Sequence, residues 1–188
     1  TSDTPSYVID KNDMELLSLF GDSATATLIQ SSNEDEKFIF GTDGSGYEQL
    51  IVRKSGTRFP ASLDWIEETG LIHGKMEMQS TEIFTFAIKI VPSLIQQILE
   101  KHSMNIEDVD YFVFHQANSF LLEVLRKKLK IQKEKFFNDI ILTGNTVSSS
   151  IPIALHTAEK KGTLRRGMKV LIAGFGIGLT WGGTIIKY

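Results

Sequence analysis

The 188 residues are 41% hydrophobic and 23% charged with a net charge of −3, the balance of an ordinary globular chain long enough for one sizeable domain. Mild acidity argues against a nucleic-acid platform, which shows a basic excess. With no cysteine and with histidines at 73, 102, 115 and 156 in no ligand-like pair, disulfides and thiolate sites are excluded and no metal is expected.

No apolar run is read as approaching the ~18 residues of a membrane helix, and no signal-peptide pattern opens the chain. No membrane partner is therefore expected. The chain begins on threonine and reads as starting partway into a longer product.

Residues 1–14 are polar and read as irregular. Residues 16–20 lead to a Gly21-Asp22-Ser23 turn, and 24–29 read as a strand of small and β-branched residues. A charged turn is expected over 31–37. Residues 38–40 and 48–52 bracket Asp43-Gly44-Ser45-Gly46, a hairpin pattern. Residues 53–79 sustain no period and predict a long loop with at most a short helix near 63–68.

After Ser80 the period turns helical. Ile83, Ala87, Ile90, Leu94 and Ile98 form a stripe widened by Phe84, Val91 and Ile95. Pro92 falls inside it and predicts a kink, since proline removes a backbone bond and crowds the preceding turn. Asn105 and Asp108 suit a capped turn. An apolar strand, Tyr111-Phe112-Val113-Phe114, then runs into His115-Gln116-Ala117-Asn118. A helix over 118–130 should turn Leu121, Leu122, Leu125 and Leu129 inward, and Glu123, Arg126, Lys127, Lys128 and Lys130 outward. Residues 136–137 suggest a short strand. A second helix over 147–161 carries Ser148, Ser149, Ser150, Ala154 and Ala158, small enough for close approach to a sheet or another helix. A strand over 169–173, a glycine turn and a strand from 180 to 188 close the chain. Strands and helices alternating from residue 80 predict an α/β layered fold.

His115, at a strand tip, could donate one hydrogen bond from a ring whose other nitrogen is held by backbone, or could simply be satisfied locally. Asn145, after a glycine and before a helix, could be an N-cap or a neutral donor aimed into a cleft. Gly174, Gly176 and Gly178 could suggest a nucleotide loop, but that loop should open a helix. Strand-like Thr180-Trp181-Gly182-Gly183-Thr184 follows instead, so a tight turn presenting backbone N–H groups is the better reading. Arg126, Lys127, Lys128 and Lys130 read as the solvated face of an amphipathic helix.

Taken in order, the blocks around His115, Thr143-Gly144-Asn145-Thr146 and Gly174–Gly182 closely resemble the C-terminal half of ketoacyl-[acyl-carrier-protein] synthase III, a thiolase-fold condensing enzyme. Leu19-Phe20-Gly21-Asp22-Ser23-Ala24-Thr25-Ala26 resembles a further block of the family, with Ser23 and Thr25 in place of usual glycines. The resemblance implies a thiolase-like mixed sheet with helices on both faces. Residues 1–35 would close the N-terminal half and 36–188 would form the C-terminal half. It also implies decarboxylative condensation of acyl-coenzyme A with malonyl-carrier protein in fatty acid or related biosynthesis, by a cytoplasmic homodimer needing no cofactor beyond the coenzyme A and phosphopantetheine thioesters.

By the same resemblance His115 and Asn145 are catalytic, and the backbone N–H of Ile177 belongs to an oxyanion hole. Gln116, Ala117, Asn118, Ser119, Phe120, Lys127, Lys128 and Phe175 would bind substrate or carrier. Phe120 and Thr85 depart from basic residues of the family rim. The family nucleophile is a cysteine, expected upstream of Thr1, so the 188 residues alone should be inactive. Two other readings stay open: acyl transfer to a different acceptor without condensation, and a non-catalytic thiolase-like subunit.

Overall fold

A four-stranded mixed sheet anchors the chain in the computed structural model, which describes residues 1–31, 37–70 and 73–188. In chain order, β1 (Ser2–Asp3) pairs antiparallel with β2 (Ser23–Ala24). A 3-10 turn, Pro5–Tyr7, and helix α1 (Met14–Leu19) lie between them. The opening segment is therefore more ordered than its polar composition predicted. Asp13 caps α1 by accepting from the Leu16 N–H at 3.0 Å. The strand expected over 24–29 stops at Ala24. Leu28 and Ile29 beyond it are exposed, with no ladder partner among the described residues. The charged turn expected over 31–37 falls largely on residues outside those described.

The expected hairpin does not form. Strand β3 (Ile39–Thr42) pairs with the last strand of the chain, while β4 (Leu50–Val52) pairs with β5 (Met76–Met78). Asp43 caps a 3-10 helix, Gly44–Gln49, instead of a two-residue turn: its carboxylate accepts from the Ser45 N–H at 3.0 Å. Helix α2 (Leu63–Thr69) matches the short helix expected there, capped by Ser62 and ended by Gly70 in the left-handed region. The strand at β5 was not foreseen, because three residues are too few to show alternation.

Helix α3 (Ser80–His102) runs unbroken through Pro92. By length and apolar content it matches a membrane span, which the sequence reading had not anticipated. Its stripe of Ala87, Val91, Leu94, Ile95 and Ile98 is, however, buried in the core. Burying each of the larger side chains contributes about 1.5–3 kcal/mol. The Asn105 turn forms as expected, with Asp108 accepting from the Asn105 N–H at 2.8 Å.

Strand β6 (Tyr111–Phe114), helix α4 (Ser119–Lys128), helix α5 (Ser150–Lys160) and strands β7 (Lys169–Gly176) and β8 (Thr180–Lys187) complete the fold. The sheet order is β3-β8-β7-β6, with β6 parallel to β7 and the other pairs antiparallel. Every residue of β6 is buried, as expected for a strand covered on both faces. Alternation divides them: Phe112 and Phe114 join the layer of α3 and α4, while Tyr111 and Val113 join that of α5. The 136–137 segment touches the sheet through one parallel bridge, Phe112 to Phe136. Thus the α/β layered architecture holds, with helices on both faces.

Candidate active site

His115 leaves β6 with the parity of Tyr111 and Val113, so its side chain turns toward α5. Its backbone N–H donates to the Ala173 carbonyl at 2.8 Å, continuing the β6–β7 ladder by one residue. The ring Nδ1 lies 2.7 Å from the Ser150 hydroxyl. The second nitrogen's partner is therefore a serine side chain and not the backbone acceptor expected from sequence. Phe175 packs edge-on against the imidazole, ring centroids 5.6 Å apart at 85°. Nε2 has no partner among the described residues. Burial in this apolar setting depresses the imidazole pKa from 6.5 to about 4, so the ring is neutral near pH 7.

Asn145 is 7% exposed and fixed through its backbone. Its N–H donates to the Leu19 carbonyl at 2.8 Å, and its carbonyl accepts from the Gly21 N–H at 3.0 Å. These bonds form a parallel bridge between 19–21 and 145. Any side chain at Gly21 would collide with the Thr143 carbonyl, so the Phe20-Gly21 block is structural, and glycine there permits the close approach. Gly144 reaches the bridge at φ +65°. The side-chain Oδ1 accepts from the Val147 N–H two residues on, at 2.9 Å. That bond orients the amide and leaves Nδ2 without a partner among the described residues. Thr146, not Asn145, stands at the N-cap of the following 3-10 turn, so the Asn145 contact is a local side-chain turn and not the N-cap the sequence suggested.

The Gly176–Gly178 segment turns β7 into β8, as expected. The Ile177 carbonyl accepts from the Thr180 hydroxyl at 2.8 Å, and its N–H has no acceptor among the described residues. His115, Ala117, Asn118, Asn145, Ser150, Phe175 and Ile177 line one cavity of about 1290 Å³. Polar groups without partners along one cavity wall are the kind of feature that can stabilise oxygens gaining negative charge. No three His, Asp or Glu side chains come together for a metal among the described residues.

The remaining candidates divide. Gln116 is 3% exposed and does not line the cavity. Its amide donates to the Phe114 carbonyl at 2.8 Å and accepts from the Asp139 N–H at 3.4 Å, so it braces the loop below the site. Asn118 caps α4, Oδ1 accepting from the Leu121 N–H at 2.7 Å, while still facing the cavity. Ser119 lines a neighbouring small pocket and accepts from the Asn138 amide at 3.1 Å. Phe120 is exposed and stacks on Phe84, which lines the main cavity.

The basic face is less uniform than its spacing implied. Arg126 is not outward: its guanidinium grips Glu123 through two bonds of 2.7 and 2.8 Å and donates to the Ile131 carbonyl at 2.6 Å. The Arg126 hydrogen bonds hold the Glu123 carboxyl down at about 2. Lys128 donates to the Ile88 carbonyl of α3 at 2.9 Å. Lys127 remains 70% exposed, paired loosely with Glu123 at 3.5 Å. Sequence reasoning missed Ser150 and Phe84 as site residues. Each was read only through its helix, Ser150 as a small packing residue and Phe84 as part of the core stripe.

The fold is thiolase-like. A crystal structure of 3-oxoacyl-(acyl-carrier-protein) synthase III superposes with a TM-score of 0.89 at 37% identity, over 100% of this chain and 59% of that one. The synthase III of Aquifex aeolicus VF5 gives 0.80 at 31% identity, over 100% and 56%. Family models agree: 3-Oxoacyl-[acyl-carrier-protein (ACP)] synthase III matches residues 1–44, and its C-terminal model matches residues 99–188. The beta-ketoacyl-[acyl-carrier-protein] synthase III of Clostridium acetobutylicum is 38% identical over 97% of this chain and 56% of its own length. The chain belongs to the 3-oxoacyl-[acyl-carrier-protein] synthase III family, and it spans about half the length of the curated relatives it matches.

The depressed His115 pKa has a consequence for stability. A histidine held at about 4 when folded and 6.5 when unfolded contributes fully above 6.5 and progressively less as pH falls toward 4. Between pH 8 and pH 5 this linkage removes about 2 kcal/mol. Denaturant unfolding of the protein should therefore show a steeper loss over that range than unfolding of the His115→Gln variant. Parallel curves would mean that His115 is solvated.

Proposed function

We propose that the chain is the C-terminal part of an acyltransferase that condenses acyl-coenzyme A with malonyl-carrier protein, releasing carbon dioxide, in fatty acid or related biosynthesis. The observation that carries this reading is that His115, Asn145 and Ile177 line one cavity while His115 Nε2, Asn145 Nδ2 and the Ile177 N–H have no partner among the described residues. Residues 1–35 would close a first thiolase-like half and 36–188 form the second. The whole protein would be a cytoplasmic homodimer using no cofactor beyond its thioester substrates.

The 188 residues contain no cysteine, so the nucleophile of this reading belongs outside them. An acyl group passes from coenzyme A to that thiolate, its carbonyl oxygen polarised by the Ile177 N–H together with the N–H of the cysteine. The covalent intermediate divides one difficult reaction into two easier ones. The malonyl thioester then enters with its carbonyl oxygen against His115 and Asn145. As the carboxylate leaves, the electron pair of the broken C–C bond becomes an enolate, whose oxygen both side chains stabilise. The nucleophilic carbon attacks the acyl-enzyme carbonyl and expels the thiolate.

Neutral donors suit this step. A charged imidazolium would give up a proton to the enolate, and a pKa of about 4 keeps the ring neutral. In the protein carrying its cysteine, His115→Ala or Asn145→Ala should lower malonyl decarboxylation and condensation by ~10²–10³. Acyl-enzyme formation, read by intact mass, should persist. Condensation at the parent rate in both variants would show that the residues are structural and the mechanism wrong.

Carrier docking on α4 rests on the exposed Lys127 and Lys128, since Arg126 is engaged within the fold. The exposed Phe120 at the family's basic position leaves an apolar contact beside it. Lys127→Glu should raise the KM for the carrier substrate at low salt and lose that effect in high salt, where exposed charges are screened. A KM unchanged at low salt would assign Lys127 to the solvated face.

A further inference from the structure

We infer that Ser150 is a positioning residue that locks His115 in the tautomer carrying its proton on Nε2. The inference deepens the mechanism above by naming what makes the imidazole a donor toward the cavity, and for its functional consequence it rests on that reading.

The geometry leaves two arrangements for the 2.7 Å contact between the Ser150 hydroxyl and Nδ1. In one, Nδ1 carries the proton and donates to the serine oxygen. The hydroxyl hydrogen then needs a second acceptor, and Ser150, 2% exposed at the first turn of α5, has none among the described residues. A buried donor without an acceptor is disfavoured. In the other, the hydroxyl donates to an unprotonated Nδ1 and the contact is fully satisfied. A neutral imidazole carries one N–H, so this arrangement places it on Nε2. The second arrangement is the one the surroundings select.

The rest of the pocket adds no competing instruction. Phe175 meets the ring edge-on and offers it no acceptor. No carboxylate among the described residues touches the imidazole, and burial holds its pKa near 4, so a doubly protonated ring does not obscure the choice. Ser150 is itself fixed: it begins α5, whose Ala154 and Ala158 are buried against the sheet. The chain thus couples helix position to the chemical identity of the atom facing the cavity. In the opposite tautomer Nε2 would present a lone pair to the enolate oxygen, and attraction would become repulsion.

The test is the histidine side-chain nitrogen spectrum of the ¹⁵N-labelled protein, which distinguishes the two neutral tautomers without reference to activity. The parent should show His115 protonated on Nε2 at pH 7. Ser150→Ala should populate the Nδ1-protonated form, and Ser150→Thr, which keeps the hydroxyl, should restore the parent pattern. In the protein carrying its cysteine, Ser150→Ala should lower decarboxylation by roughly 10–100-fold, by analogy with the loss of a partner that orients a metal-ligating histidine, while acyl-enzyme formation continues. A parent ring protonated on Nδ1 would overturn the proposal even if the alanine variant failed to fold. So would an unchanged tautomer in a folded Ser150→Ala protein. If the tautomer responds to Ser150 but His115→Ala leaves decarboxylation intact, the positioning role stands and the condensation mechanism fails.

Discussion

The parallel pairing of β6 with β7 is the constraint on which the site depends. Its register sets Phe114 against Ala173, and the next step of the ladder ties the His115 N–H to the Ala173 carbonyl. Two residues further along β7, Phe175 reaches the same end of the sheet and packs on the imidazole. The hairpin to β8 then begins, so Ile177 opens beside them. A one-residue slip in this register would turn His115 to the α3 layer, away from Ser150 on α5. Burial of β6 on both faces makes such a slip costly, because Phe112 and Phe114 belong to one core layer and Tyr111 and Val113 to the other.

Asn145 is brought in by an independent device. The bridge from Leu19 and Gly21 to Asn145 reaches across 124–126 residues of chain, and it fixes the backbone at the one point where the side chain must aim. Its Oδ1 is committed to the Val147 N–H, which decides the amide's orientation without help from a ligand. The site is therefore preorganised by backbone bonds made before any substrate binds. Such preorganisation is what makes neutral donors effective, since they need not reorient as charge develops.

Much of this was legible in the sequence, and what was lost has physical causes. The long stripe of α3, the apolar run of β6 and the glycine turn carry strong periodic or steric signals, and all three stand where expected. Pro92 does not divide the helix, in keeping with the continuous stripe of apolar residues on both sides of it, which packs into one core. Residues 38–52 failed as a hairpin because both strands found distant partners, and no local pattern reports a pairing between residues 39 and 183. The strand expected over 24–29 had the right composition, but pairing with β1 ends at Ala24 and the residues beyond have no ladder partner among those described. In the site, His115 and Asn145 were visible as residue types at element ends. Ser150 was hidden because a serine in a small-residue helix looks like packing, and only the three-dimensional parity of β6 turns it toward the histidine. Gln116, which the family resemblance implied as a substrate contact, is buried away from the cavity with its amide held by the Phe114 carbonyl and the Asp139 N–H.

The central claim is that His115 and Asn145 together donate to a thioester oxygen in this cavity. The most direct measurement is the infrared carbonyl stretch of a ¹³C-labelled acetyl-pantetheine thioester bound to the protein, taken as a difference against the unlabelled ligand. Two fixed donors should move the bound stretch to lower frequency than in water, and Asn145→Ala should reverse part of that shift. A bound carbonyl at its solvent frequency, unaffected by Asn145→Ala, would contradict the account.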